Sequence, residues 1–447
     1  MQIVECLVQN IMRLDEIPGQ TKRLVACLAT LHLFTKIRPY LTVKHAMLLQ
    51  PYLSARVPAA GAPSQPSSHL DSLILHYVAR ILEVTIPLIE HPSETFLAQL
   101  EEDLVRLTLR QGKMVLESCV ACLGAVVNRV SKNYSLAMEC FRGFFSALVK
   151  FRKECLASAD KGTLPKLPMK LRPSILRSLF TVGLLCKHFD INAFSTDAEP
   201  KTLDQVFDIL MFFSERMVSD LEVRKNALSG LGFLCTRHKE LLCGTPLSKF
   251  YHELLQAPSD RDVEKSPDLE LKSLVLENLL SFFMEEERRM LEQDSKCKLV
   301  LTCVEILWLY IYMAYVLCNL VLNAGKSTHK NESLKVMGDV ASGTGSHVAQ
   351  SYLKEILETF FSPSPSVRLT ALSVVTTILR QGLIHPVQTV PFLIAMQTDS
   401  DASTRVKAEA QLQEIENKFP GFIHVYSIIL PYCFMQNQPV CFYLYGY

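Results

Sequence analysis

The tripeptide Gly325-Lys326-Ser327 is the clearest candidate for phosphate chemistry in this 447-residue sequence. A Walker A loop has an earlier glycine, four intervening residues and then Gly-Lys-Ser/Thr, and it connects a strand to a helix. Here Leu320 occupies the first glycine position, a long apolar run precedes the tripeptide, and polar residues without a helical stripe follow it. The pattern disfavours a P-loop nucleotidase and predicts that the tripeptide belongs to a linker.

Cys119 and Cys122 have the Cys-x-x-Cys spacing found in redox sites and in halves of zinc sites. No second Cys-x-x-Cys and no spaced histidine pair completes a zinc set, and both cysteines lie in an apolar helical pattern. We therefore predict two buried thiols, no metal site and no cofactor. No Gly-x-Ser-x-Gly, His-Glu-x-x-His or linked Ser/His/Asp pattern is visible, so we expect no enzymatic activity.

Positive charge is concentrated in one part of the chain. Residues 131–201 contain 12 Lys/Arg and 6 Asp/Glu, whereas the whole sequence has a formal net charge of only +1. Such a surface can hold a phosphate backbone without reading bases, and an ordinary solvated basic loop is the alternative. The predicted DNA-binding residues are Lys166, Lys170, Arg172, Arg177 and Lys187.

The elements that must position these residues are helices. Apolar residues recur with a period of 3.6, as in the run Leu116, Val120, Leu123, Val127 and Val130. Proline, glycine and serine interrupt the pattern and separate the helices. The sequence predicts helices over Gln20–Ile37, Leu70–Glu90, Glu94–Arg110, Ser135–Cys155, Pro173–His188, Thr202–Met217 and Leu271–Leu291.

A degenerate motif recurs early in three helices, as Val223-Arg224 with Ala227, Val367-Arg368 with Ala371, and Thr404-Arg405 with Ala408. The alanine allows close helix packing, and the arginine can bond carbonyls or acids of a neighbouring repeat. Helix pairs with a period of about 40 residues are typical of HEAT arrays. We predict an all-α fold, a HEAT-repeat α-solenoid in which antiparallel helix pairs form a superhelix. Ser364 and Gly382 are predicted to cap the two ends of one helix.

Two segments depart from this pattern. Residues 299–322 include a single charge, Glu305, and as a helix would extend about 36 Å, enough to cross a bilayer. Residues 425–447 have no Asp, Glu, Lys or Arg. Translated non-coding sequence, such as a retained intron, explains both segments; a membrane span or an unusual buried helix are the alternatives for the first. A membrane-tethered helical-repeat adaptor is accordingly the alternative function.

Several long blocks resemble the C-terminal HEAT region of the Nipped-B (sister chromatid cohesion adherin) family of cohesin loaders. They include HPSETFLAQLEEDL (91–104), ESCVACLGAVVNRV (117–130), LRPSILRSLFTVGLLCKHFD (171–190) and GLIHPVQTVPFLIAMQTD (382–399). The likeness covers most of residues 3–296 and 332–424, and it stops at the two anomalous segments. We therefore divide the chain into a solenoid (1–296), a hydrophobic insert (297–331), the continuing solenoid (332–424) and an aberrant tail (425–447).

The resemblance implies a nuclear scaffold that brings the cohesin ring onto DNA and stimulates the ring's ATPase, without an ATPase of its own. Its implied partners are cohesin subunits, DNA or chromatin, and a smaller loader subunit. The family binds that smaller subunit through an N-terminal region that this sequence lacks. A small-molecule substrate is not implied, and a membrane partner is not expected.

Overall fold

The computed structural model describes residues 2–15, 17, 19–54, 69–159, 171–191, 202–218, 220–256, 267–293 and 339–419. Within these ranges the regular elements are all helices and no strand occurs, as the sequence predicts. The chain divides into two compact units, Met1–Arg237 and His238–Tyr447. The predicted limits at 296/297, 331/332 and 424/425, and the candidate membrane span at 299–322, lie outside the described residues.

Nine long helices occur in the part of the first unit that the structure describes. They are α1 (Gln2–Asp15), α2 (Thr21–Ile37), α3 (His69–Thr85), α4 (Glu94–Arg110), α5 (Lys113–Val126), α6 (Ser135–Ala159), α7 (Arg172–His188), α8 (Thr202–Arg216) and α9 (Leu221–Arg237). The predicted α4 has the observed limits, and the other predicted limits in this unit differ by a few residues. The α3 helix ends five residues before the predicted limit because Pro87 lacks a donor for the helical ladder, so the chain continues as a 3-10 turn, Ile86–Leu88.

These helices form two rows. Helices α2, α3, α5, α7 and α9 pack successively in one row, α4, α6 and α8 pack in the other, and α1 packs on α2. Neighbours in the chain pair across the rows, as α4 with α5, α6 with α7, and α8 with α9. This arrangement is the helical-repeat architecture expected of a HEAT array.

The row is tightest where α7 crosses α9. A Cβ atom built on Gly183 would lie 2.4 Å from the Cα and carbonyl oxygen of Gly230. A Cβ atom built on Gly230 would lie 2.7 Å from the carbonyl oxygen of Leu179. Backbone therefore touches backbone at this crossing, and only glycine fits on either side of it.

The α5 helix illustrates how apolar the row is. Together with the π-turn that follows it, the segment Lys113–Ser131 is long and apolar enough to cross a membrane, and among the described helices it alone passes that test. It lies in the core, however, and Cys119 and Cys122 are fully buried there, as predicted. Burial raises the pKa of Cys119 to about 12 and also raises the pKa of Cys122. The described residues contain no group of three His, Cys, Asp or Glu side chains that could hold a metal ion.

The second unit contains α10 (Thr245–Gln256), α11 (267–293), α12 (Asp339–Glu358), α13 (Pro365–Arg380), α14 (Val390–Met396) and α15 (Ala402–Lys418). Tyr251 of α10 and Tyr352 of α12 are fully buried against each other, with ring centroids 6.2 Å apart. Gln381, next to α13, donates to the carbonyl oxygen of Phe283 in α11 at 2.9 Å. Helices that precede and follow the predicted insert therefore pack directly on one another.

The repeated motif has its predicted role in part: the alanines pack as predicted, but Arg224 and Arg405 bond carbonyls of their own helix pair rather than of a neighbouring repeat. Ala227, Ala371 and Ala408 are all fully buried. Arg224 donates to the carbonyl oxygen of Ser214 at 2.9 Å, and Arg405 donates to those of Asp399 and Ser400 at 2.7 and 2.9 Å. Each arginine thus holds the segment that precedes its own helix.

Arg368 makes the strongest of these contacts. Its Nε and Nη2 atoms donate to the two carboxylate oxygens of Asp399 at 2.6 and 2.8 Å, and its Nη1 donates to the carbonyls of Ser362 and Pro363. Both side chains of the ion pair are nearly buried. Because Asp399 precedes the next repeat helix, the pair joins successive repeats, as predicted.

The predicted caps of α13 are half correct. Gly382 has φ of +68° and follows the helix C-terminus, as a glycine cap requires. Ser364 occupies the N-cap position, but its hydroxyl bonds the Ser366 hydroxyl at 2.9 Å rather than a backbone amide. The predicted side-chain cap at Ser364 is therefore wrong.

Candidate nucleic-acid interface

The predicted DNA-binding residues fall in two parts of the chain. Lys166 and Lys170 lie outside the described residues, whereas Arg172, Arg177 and Lys187 all lie on α7. This helix begins at Arg172 with Pro173 in its first turn, where proline is well tolerated. Fifteen residues separate Arg172 from Lys187, which is about 22 Å along a helix. The structure therefore places these two at opposite ends of α7 and does not gather the described members into one cluster.

Arg172 is paired with a carboxylate. Its Nε and Nη2 atoms donate to the two oxygens of Asp220 at 2.9 Å each. Asp220 also accepts from the backbone amide of Val223 at the start of α9. These bonds, led by that of Arg172, lower the pKa of Asp220. The pair links α7 to α9 as the pair of Arg368 and Asp399 links later repeats.

Arg177 closes the C-terminal end of α4. Its guanidinium donates to the carbonyl oxygens of Thr108 and Gln111 at 3.0 and 2.8 Å, and to that of Arg110 at 3.4 Å. The last carbonyls of a helix have no partner within it and carry partial negative charge, which a cation stabilises. Partial burial lowers the pKa of Arg177, yet a guanidinium stays charged at neutral pH.

Lys187 belongs to a cation–aromatic group that crosses three helices. Its Nζ lies 5.6 Å from the ring centroid of Phe233 in α9, and Lys113 Nζ of α5 lies 5.1 Å from that of Phe180 in α7. The two rings meet edge to face at 5.1 Å between centroids. A ring face attracts a nearby ammonium group and holds it in place. Sequence reasoning missed Lys113 because it lies outside the basic segment, 74 residues before Lys187, and joins the same aromatic pair only through the packing of α5, α7 and α9.

Glu117 is the acidic neighbour of this group. Burial raises its pKa, while the charges of Arg80, Lys187 and Lys113, on α3, α7 and α5, act in the opposite direction. Glu117 therefore lies among three cations along the row of α3, α5 and α7, but Arg80 is also paired with Glu83 at 2.9 Å and Lys113 lies near Glu222. The local positive charge can attract a phosphate oxygen, although these carboxylates offset much of it.

Comparison with known proteins finds relatives that all have names connected with sister chromatid cohesion or Nipped-B. A family model described as "Sister chromatid cohesion C-terminus" matches residues 345–428. Nipped-B-like protein from Homo sapiens is 39% identical over 436 residues, which is 96% of this chain and 14% of that protein. Nipped-B protein from Drosophila melanogaster is 32% identical over 430 residues, which is 95% of this chain and 18% of that protein.

A solved structure has the same fold. The "Chaetomium thermophilum cohesin loader SCC2, C-terminal fragment" aligns over 97% of this chain and 27% of that chain, with a TM-score of 0.66 and 17% sequence identity. At that identity the likeness establishes the HEAT-repeat fold alone. The chain spans less than one fifth of the Homo sapiens and Drosophila melanogaster relatives. Both the family match and the relatives' names agree with the resemblance in the sequence, and the chain belongs to the Nipped-B family of sister chromatid cohesion proteins, whose C-terminal region it matches.

Proposed function

We propose that this chain is part of a cohesin loader, a nuclear scaffold without catalytic activity of its own that helps bring the cohesin ring onto DNA. What carries the proposal is the similarity over 96% of the chain to Nipped-B-like protein, together with a fold shared with a protein named as a cohesin loader. In this role the chain contacts cohesin subunits and stimulates their ATPase. The smaller loader subunit binds the family's N-terminal region.

The DNA contacts are proposed to centre on the basic segment and the C-terminal end of α7. Lys166, Lys170 and Lys187 supply ammonium groups to this interface, and Lys113 adds a fourth, held over Phe180 in the same aromatic pair as Lys187. Arg172 and Arg177 already have a carboxylate and backbone carbonyls as partners, so DNA contact by these two remains a prediction. Contacts of this kind bind the phosphate backbone and carry no sequence preference.

A charge-variant experiment tests this interface. Lys166, Lys170 and Lys187 are changed together to glutamine, and binding to a 40-base-pair duplex is measured by fluorescence anisotropy at several salt concentrations. Each lost phosphate contact lowers the slope of log K against log salt by about 0.9, so three lower it by about 2.7. The matched control changes the exposed lysines Lys22, Lys249 and Lys354. Equal affinities and salt slopes for the two triple variants would contradict the assignment.

The loading role has its own test. Purified cohesin is incubated with circular DNA and ATP, with or without the chain, and both ATP hydrolysis and salt-resistant DNA retention are measured. We expect the chain to raise hydrolysis by cohesin and to hydrolyse no ATP alone. Hydrolysis by the chain alone that survives Lys326→Ala would contradict the scaffold role, and hydrolysis lost in that variant would restore the nucleotidase hypothesis.

A further inference from the structure

Three aromatic rings join α2 to α3 in the first unit. The ring centroid of His32 in α2 lies 5.9 Å from that of Tyr77 in α3, and His76 packs edge to face on Tyr77 at 5.2 Å. All three side chains are partly buried. Two imidazoles therefore belong to one helix–helix contact, and imidazole is the side chain whose ordinary pKa lies nearest to neutral pH.

His76 is fixed by a hydrogen bond to α5. Its Nδ1 atom lies 2.5 Å from the hydroxyl oxygen of Ser118, and that hydroxyl donates to the carbonyl oxygen of Met114 at 2.9 Å. Because the hydroxyl has a single hydrogen, which Met114 accepts, Nδ1 of His76 must donate to Ser118. We therefore assign the neutral tautomer with its hydrogen on Nδ1, and a further proton would add to Nε2.

His32 has no such partner at the corresponding atom. Its Nδ1 is buried and has no hydrogen-bond partner among the residues that the structure describes. Protonation gives both ring nitrogens a hydrogen. An imidazolium at His32 would thus bury a charged N–H group without an acceptor, which costs more free energy than burying the neutral ring.

Basic groups surround the two imidazoles on their own helices. Burial lowers the pKa of both histidines, and neighbouring charges lower it further: those of Lys36, His76 and Arg80 at His32, and that of Arg80 at His76. Glu83 acts in the opposite direction at His76, but it also accepts from Arg80 at 2.9 Å. The charges on α2 and α3 therefore disfavour an imidazolium in this contact.

The α5 helix supplies the remaining polar groups near the contact. The Met114 carbonyl favours a proton on His76, and the Glu117 carboxylate lies near Arg80. Both offset part of the effect of the cations at His76. The charged groups that act on His32, by contrast, are all basic.

We propose that the contact of His32, His76 and Tyr77 is an acid-sensitive joint, which holds α2 on α3 while both imidazoles are neutral and loosens when they are protonated. Protonation adds two positive charges beside Lys36 and Arg80. Since the pKa of each histidine is lower in the folded chain than its ordinary value of 6.5, the stabilisation is complete above pH 6.5 and is lost as pH falls through the folded-state pKa. This proposal stands independently of DNA binding and cohesin loading.

Hydrogen exchange of the full chain at pH 7.5 and at pH 5.5 tests the proposal. After correction for the intrinsic pH dependence of exchange, peptides of α2 and α3 should lose protection by about threefold or more at pH 5.5. Peptides of α7 and α9 are the internal reference and should keep theirs. An equal loss of protection in all four helices would overturn the proposal.

Histidine variants identify the groups that titrate. His32→Gln combined with His76→Gln should abolish the loss of protection, because an amide keeps hydrogen-bonding capacity and takes up no proton in this pH range. The matched control is His69→Gln, at the exposed start of α3, which should show the same loss as the unaltered chain.

The single variants guard against a folding defect in the double variant. His32→Gln and His76→Gln each change one ring, so each should reduce the loss of protection while circular dichroism at pH 7.5 stays unchanged. Unchanged protection of α2 and α3 at pH 5.5 in the unaltered chain, or an undiminished loss in the single and double variants, would contradict the acid-sensitive joint.

Discussion

Replacing Gly183 by alanine should destabilise the first unit, although alanine is normally the better helix former. A Cβ atom at this position would lie 2.4 Å from Gly230 backbone atoms, and unstrained contact begins near 3.4 Å. Helices α7 and α9 must therefore separate by about 1 Å. The obstacle is main chain, so no side-chain rotation can relieve the clash.

The size of the effect follows from two opposing contributions. Gly→Ala in a helix interior favours folding by about 1 kcal/mol. Overpacking of a tight core costs about 1–3 kcal/mol and occasionally more, and separation of α7 from α9 also weakens contacts along their whole length. The two contributions leave a net loss of up to about 2 kcal/mol in the free energy of unfolding, to which the weakened contacts between α7 and α9 add.

A matched control is available in the same unit. Gly143 lies inside α6, is exposed, and has nothing within 4 Å of a built Cβ atom. Gly143→Ala should therefore raise stability by about 0.5–1 kcal/mol. Urea titration gives the free energy of unfolding of both variants, and hydrogen exchange of peptides from α7 and α9 shows where stability changes. If Gly183→Ala were as stable as Gly143→Ala, the predicted clash between α7 and α9 would be refuted.

The Gly183→Ala and Gly230→Ala changes should also be non-additive. Each forces the same two helices apart, so the second alanine enters space that the first has opened. We expect the double variant to lose less stability than the two single variants combined.

Three further predictions concern single side chains. Arg368→Ala should lower the free energy of unfolding by about 3–5 kcal/mol, because it leaves the buried Asp399 carboxylate without its partner. Since Arg368 lowers the pKa of Asp399, this stabilisation is present above the unfolded-state pKa and is lost as pH falls through the lower folded-state pKa. Urea midpoints between pH 2.5 and 6 should therefore show a weaker acid dependence in the variant, and an identical dependence would contradict the pairing. Arg177→Ala should lower the free energy of unfolding by about 1–3 kcal/mol and accelerate hydrogen exchange at the C-terminal end of α4. The control is Arg110→Ala, at an exposed position. Equal exchange rates at the end of α4 in the two variants would refute the capping role of Arg177. Iodoacetamide should modify the exposed Cys6 and Cys243 of the folded chain but spare the buried Cys119 and Cys186. Burial raises the pKa of both buried thiols to about 12, so neither forms the reactive thiolate at neutral pH. Modification of Cys119 or Cys186 before the chain unfolds would argue against the described core.

Local patterns predicted the helices well because each depends on neighbouring residues. The apolar period and the Pro and Gly breaks predicted α4 with its observed limits, and α2, α3, α6, α7, α8 and α11 within about five residues. No limits were predicted for the other numbered helices. The short helices of residues 39–54 were not predicted, because each is only one turn long and shows no periodicity. The π-turn after α5 was also missed, since Val127–Ser131 continues the apolar stripe without a visible break.

The candidate sites were less predictable because their partners are remote in sequence. Arg172 meets Asp220, 48 residues away, and Arg177 meets carbonyls 66 to 69 residues away. Counting basic residues over 131–201 cannot distinguish arginines that hold the fold together from basic residues that contact a ligand.

Direct binding of the chain to cohesin tests the proposed function most simply. The folded chain is immobilised and purified cohesin is passed over it in biolayer interferometry, at physiological salt and without DNA. The loader assignment predicts saturable binding that soluble chain competes away. Absence of binding by a chain whose circular dichroism shows the expected helix content would contradict it.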